Sequence, residues 1–175
     1  MVDRSDVDRL LAANRYLVLA TVDKDGQPWA TPVFFASLDP HTLCWVSSPN
    51  SRHSRNIASR PGIAITVFDS TVEVGRGEAA YFDADAAAAT PDEAEAGLQA
   101  LNRRLPEQTR LSSADLRPAG ALVVYRAELR RRHERTEGAD LLAGRRHGRA
   151  GAGSTESAFR ANSAPAGSAE FNHAR

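Results

Sequence analysis

Short apolar runs alternate with polar turns over the first 130 residues, and their spacing predicts a chain built mostly of strands. Tyr16 to Val22 (Tyr-Leu-Val-Leu-Ala-Thr-Val) is apolar and strand-like. Asp23-Lys24-Asp25-Gly26 follows it as a hairpin turn with Asp-Gly at the tip, and Gln27 to Ala36 returns as a second strand rich in β-branched and aromatic residues. Pro28 and Pro32 fall inside that strand; proline donates nothing to a ladder, so its backbone there suits a place where pairing is interrupted and free groups face a ligand. After a turn over Leu38 to Thr42 come Leu43 to Ser47, then Ile63 to Phe68, Val72 to Ala80 beyond a turn at Asp69-Ser70-Thr71, and Ala119 to Leu129 as further strands.

Helical spacing appears three times. Val7, Leu10 and Leu11 predict an amphipathic helix over Val2 to Ala13, with Ser5 as its cap. Ser51 to Ser59 reads as a short helix stopped by Arg60-Pro61-Gly62. Pro91 to Arg104 reads as another, with proline in its first turn and Leu98, Leu101 and Leu105 on one face. The expected architecture is mainly β (α+β), with six antiparallel strands and flanking short helices. From about residue 131 the character changes to a run of charges and then to Gly, Ala, Ser, Arg and Asn, with Phe159 and Phe171 the large apolar residues after Gly144. Such a segment buries too little surface to offset its ordering entropy. The expected division is therefore a domain over 1–130 and a disordered or non-native tail over 131–175.

Composition narrows the function. The formal net charge of the 175 residues is +0, so no global field draws the chain to nucleic acid or to an anionic membrane, and acids interspersed in the basic tail weaken a nucleic-acid reading there. A single cysteine, Cys44, excludes an internal disulfide and a multi-thiolate zinc site, and fits a reducing, cytoplasmic setting. Neither a signal-peptide pattern nor an apolar run near the roughly 20 residues of a membrane span is present in the sequence. His41 and Cys44 stand at His-x-x-Cys spacing, which is two ligands and no metal site; Cys44 reads as a packed strand residue, and Trp29 and Trp45 as core or interface aromatics. Glu73 and Glu78 read as the solvent face of the fifth strand, and Gly75-Arg76-Gly77 as a bulge rather than a phosphate loop. No nucleophile–base–orienter set is visible, so catalytic side chains cannot be named.

The informative segment runs Leu43-Cys44-Trp45-Val46-Ser47, Ser51-Arg52-His53-Ser54-Arg55-Asn56-Ile57, Pro61-Gly62-Ile63-Ala64-Ile65. A dianionic phosphate needs several donors converging on one point, and a helix N-terminus supplies free N–H groups at its positive dipole end. Ser51 can add a hydroxyl, Arg52 a planar fork and His53 a ring N–H. The same residues also suit a plain helix cap with a solvated basic face, and on their own they leave both readings open.

The order of elements resembles the pyridoxamine-phosphate-oxidase-like, flavin-binding split β-barrel family over Val7 to Leu129, most of all in "LCWVSSPNSRHSRNIASRPGIAITVF" and in "ATPVFFA" at Ala30 to Ala36. The resemblance implies a homodimer with FMN at the subunit interface. It implies a phosphate held by Arg52 and His53 with Ser47 and Ser51, and an isoalloxazine lined by Thr31, Pro32, Val33 and Phe34 with Val46 beside them. The implied activity is an FMN-dependent oxidoreductase acting on a small molecule. The alternatives are a deazaflavin-dependent reductase, or a flavin- or haem-binding module with His53 and His41 as haem-ligand candidates. His53 stands where the family usually has lysine, which implies pH-dependent phosphate affinity. The strand around Thr31 lacks the arginine of the vitamin B6 oxidases, and nothing after Leu129 matches their substrate segment, so vitamin B6 oxidation is not expected.

Overall fold

Each strand turns alternate side chains inward, and that alternation closes the sheet on itself. The structure is a computed structural model that describes residues 4–73, 77–118 and 120–130, and the backbone of 135–136. The chain divides into two units, Met1–Gly144 and Arg145–Arg175, and the barrel lies in the first. Its strands are β1 (Tyr16–Val22), β2 (Pro28–Asp39), β3 (Thr42–Ser47), β4 (Gly62–Phe68), β5 (Ala79–Ala88), β6 (Val123–Leu129) and β7 (Arg135–Thr136). The helices are α1 (Arg4–Ala13), α2 (Arg52–Ser59) and α3 (Pro91–Asn102). The strand order β4-β1-β2-β3-β6-β5, with β4 also paired to β5, makes the expected closed, six-stranded antiparallel barrel. β7 adds to β5 through Ala80 and Tyr81; the rest of the expected tail, and Gly75 and Arg76, lie outside the described residues.

Inside the barrel sit Leu17 and Leu19 from β1, Val33 and Phe35 from β2, Leu43 and Trp45 from β3, Ile63, Ile65 and Val67 from β4, Phe82 from β5 and Tyr125 from β6. Trp45 stacks on Tyr125, with ring centroids 5.8 Å apart. A smaller cluster lies outside the barrel wall, where Cys44 and Val124 pack under Ala100 and Leu101 of α3, with Phe34 and Val46 at its margin. Gly97 allows this close approach: a Cβ there would lie 2.8 Å from Val124 Cγ1. The Asp-Gly hairpin forms as read. Gly26 takes φ +85°, and Asp23 Oδ1 accepts from the backbone N–H groups of Asp25 and Gln27 at 3.0 and 2.9 Å.

The fifth strand departs from the sequence reading. It runs over Ala79–Ala88 rather than Val72 to Ala80, and Glu73 and Glu78 precede it. Glu78 instead pairs with Arg9 of α1 at 2.8 Å. Alanine favours strands weakly, so Ala-Ala-Tyr-Phe-Asp-Ala-Asp-Ala-Ala-Ala gives little local strand signal. Its period of two is nevertheless clear once seen: Ala80, Phe82, Ala84 and Ala86 face in, while Tyr81, Asp83 and Asp85 face out. The last barrel strand likewise starts at Val123 instead of Ala119, after two short 3₁₀ turns at Glu107–Thr109 and Ser113–Asp115.

Candidate functional site

The barrel is incompletely zipped at one end. Among the described residues, β2 pairs with β3 only through Phe35–Asp39, whereas its N-terminal half pairs with β1 alone. Among the same residues, Val46 and Ser47 at the end of β3 pair only with β6. The N–H of Phe35 donates to Arg15 O at 3.3 Å, so in this antiparallel ladder every second residue of β2 turns its backbone toward β1. The residues between, Ala30, Pro32 and Phe34, turn theirs toward the opening. Pro28 and Pro32 occupy the positions facing away from β1, opposite Val22 and Val18, so neither proline removes a ladder bond.

The chain leaves β3 at Ser47 and enters α2 beside this opening. Ser51 caps the helix: its Oγ accepts from Ser54 N at 3.3 Å and donates to Ser54 Oγ at 2.8 Å. His53 is buried, and its Nε2 lies 2.9 Å from Ser47 Oγ and 3.1 Å from Ser51 Oγ. Burial lowers the His53 pKa, which favours the neutral ring. Asn56, also buried, donates to Thr21 Oγ1 at 3.0 Å, and that hydroxyl donates to Trp29 O at 3.3 Å. These bonds tie α2 to β1 and β2, so the donor cluster sits on a fixed frame.

Arg52 takes a different course. Its Nη2 lies 3.3 Å from Asp23 Oδ2, and its guanidinium carbon lies 4.5 Å from the centre of the Trp29 ring. The fork is turned toward the β1–β2 hairpin. The Asp23 carboxyl is held below its ordinary pKa, first by the Gln27 N–H, then by the Asp25 N–H and Arg52. The structure thus brings Ser47, Ser51 and His53 together by direct contact and places Arg52 at their edge.

The expected ring-lining residues divide by strand alternation. Thr31 and Val33 share the inward parity of Phe35, and Val33 is buried in the core. Pro32 and Phe34 face outward; the Phe34 ring meets that of Tyr16 edge-on at 6.1 Å, and Val46 lies on the same outer side. The buried Thr31 Oγ1 has no hydrogen-bond partner among the described residues. His41 precedes β3 and His53 contacts the residue at its far end, so one strand of about 20 Å lies between the two histidines. They cannot share one iron atom within this chain. Among the described residues no group of three or more metal-ligating side chains occurs, and no helix is long and apolar enough to cross a membrane.

Sequence reasoning did not connect Asp23 and Trp29 with this site. Asp23 was legible as a turn former and Trp29 as an aromatic on a strand, but only the fold brings both under Arg52.

The family model for pyridoxamine 5'-phosphate oxidase matches residues 4–133, which take in all six barrel strands and the three helices. The chain belongs to the pyridoxamine 5'-phosphate oxidase family. Solved structures share the fold at low identity. The haem storage protein HutZ of Vibrio cholerae is 19% identical with a TM-score of 0.61, covering 74% of this chain and 92% of its own. An FAD-binding protein of Mesorhizobium loti is 18% identical with a TM-score of 0.56, covering 74% and 91%. A haem-binding protein of Mycobacterium smegmatis is 17% identical with a TM-score of 0.58, covering 82% and 61%. No curated protein sequence matches the chain. Membership of the pyridoxamine 5'-phosphate oxidase family fixes the barrel; the ligand has to be argued from the site.

Proposed function

We propose that this family member binds FMN at the opening between β2 and β3 and acts as a flavin-dependent oxidoreductase on a small molecule. The observation that carries the reading is the coincidence of a half-unpaired strand with a cluster of donors at its end. Ser47, Ser51 and His53 converge at the N-terminus of α2, where a phosphate would also meet free backbone N–H groups and the positive end of the helix dipole. The free backbone edge of Ala30, Pro32 and Phe34 would take a flat ring with polar rim atoms, and the Thr31 hydroxyl is an orphaned polar atom of the kind a bound ligand satisfies. The flavin would supply hydride or electron transfer; the protein would supply position, electrostatics and exclusion of water. The FAD-binding relative makes a flavin a reasonable occupant of this fold.

Titration with FMN tests the reading. The expected result is a bound flavin spectrum that bleaches on reduction, together with a raised melting temperature. Protein that stays colourless and shows no thermal shift would overturn it.

A further inference from the structure

A cavity of about 450 Å³ lies between α1, the end of α3 and the C-terminal end of β2. That volume is within the range of small-molecule sites. It adjoins Ala36, Ser37 and Asp39, whereas the opening described above uses Ala30, Pro32 and Phe34 at the other end of the strand. Leu11, Ala36 and Ala100, all buried, give it an apolar floor.

Among the described residues, four charged side chains line this cavity. Asp8 comes from α1 and Asp39 from the end of β2; Arg103 and Arg104 directly follow the last turn of α3. Arg104 is half-buried and rigidly braced. Its Nη1 donates to Phe35 O at 2.9 Å, and its Nη2 to Leu11 O at 3.2 Å, to Ala12 O at 3.3 Å and to Asn14 O. Its guanidinium carbon lies 4.7 Å from the centre of the Phe35 ring. All those acceptors are neutral carbonyls, so the bonds fix the cation without neutralising it. Asp39 is held too, since its Oδ1 accepts from the His41 N–H at 2.7 Å. Among the described residues none of the four forms an ion pair, with each other or with a further charge.

We propose that this cavity binds a small zwitterion with a short apolar body, of amino-acid or dipeptide size. The proposal is independent of the flavin reading. A purely anionic ligand would meet the two carboxylates, and a purely cationic one the two guanidiniums. A ligand carrying both signs complements both pairs, and its apolar part covers the floor. Arg103 would take the carboxylate with its planar fork beside the fixed charge of Arg104, and Asp8 and Asp39 would take the ammonium group.

Calorimetric titration of the full chain with leucine and with the dipeptide alanyl-leucine tests this, alongside the C-terminal amide and the N-acetyl form of each. At least one of the two zwitterions should bind, and neutralising either of its ends should weaken it about tenfold. Arg103→Gln should weaken the zwitterion and leave its amide unaffected; Asp8→Asn should weaken the zwitterion and leave its N-acetyl form unaffected. Arg103→Lys should restore part of the affinity. Asp8 and Arg103 are both exposed, so these variants should fold. Failure of both zwitterions to bind the wild type overturns the proposal. So does equal binding of the neutralised forms, or an affinity that neither Arg103→Gln nor Asp8→Asn changes. Displacement of the probe by FMN would assign it to the opening instead and overturn the proposal as well.

Discussion

His53 is the titratable residue at the centre of the candidate site. Its ring is buried between two hydroxyls, and the burial that lowers its pKa works against charge. A free histidine titrates near 6.5, so the unfolded chain binds more protons than the folded one between that value and the lower folded pKa. Stability contributed by the neutral ring is therefore present above about pH 6.5 and is lost as pH falls below it. His53→Gln, which keeps a polar side chain without the titration, should show a smaller drop in melting temperature between pH 7.5 and pH 5.5 than wild type. Equal drops would mean that His53 does not titrate in this window. A bound phosphate dianion would act in the opposite direction and favour the protonated ring, which would make phosphate affinity pH-dependent. The residue type was legible in the sequence. Its grouping with Ser47 and Ser51 was implied by the family resemblance, whereas its burial and its direct contacts with both hydroxyls were not legible.

At the scale of elements, close packing between α3 and the sheet depends on one missing side chain. Alanine at position 97 would gain helix propensity but would drive its Cβ into Val124 Cγ1, and Val124 is buried and stiff at χ1. Overpacking outweighs propensity here, so Gly97→Ala should destabilise by about 1–2 kcal/mol in a urea melt. An unchanged or raised midpoint would show that α3 can lift off without cost. Element types were mostly readable in advance, since β1 to β4 and all three helices announce themselves by period, turn residues and caps. β5 did not: its inward positions are mostly alanine, and small side chains show weak periodicity even where the barrel demands it. The prolines of β2 were readable as a sign of interrupted pairing, but which edge they leave free is decided by the register with β1.

The whole molecule presents an outer face that a lone barrel does not explain. The rows across β2, β1, β4 and β5 align Pro32, Val18, Thr66 and Tyr81 side by side, with Tyr16 opposite Phe34 nearby. Tyr16 is 61%, Phe68 45% and Tyr81 44% exposed, an unusual amount of aromatic surface for one sheet. A two-fold pairing of this face would make the homodimer that the family resemblance implies. Sedimentation equilibrium should then report twice the chain mass, and the pair Tyr16→Glu with Tyr81→Glu should return it to one chain. A wild type that sediments as a single chain would remove the dimer.

Period-two hydrophobicity, an Asp-Gly turn, two prolines and a capped Ser-Arg-His helix were enough to specify the barrel's family and to single out a candidate segment for its site, because these are local properties written in consecutive residues. The sequence by itself did not determine where that segment's side chains point. Only the folded barrel decided that His53 turns inward to Ser47 while its neighbour Arg52 turns outward onto Trp29 and Asp23, since those partners lie six to 29 residues away and are brought close by the docking of α2 against the β1–β2 hairpin and the end of β3.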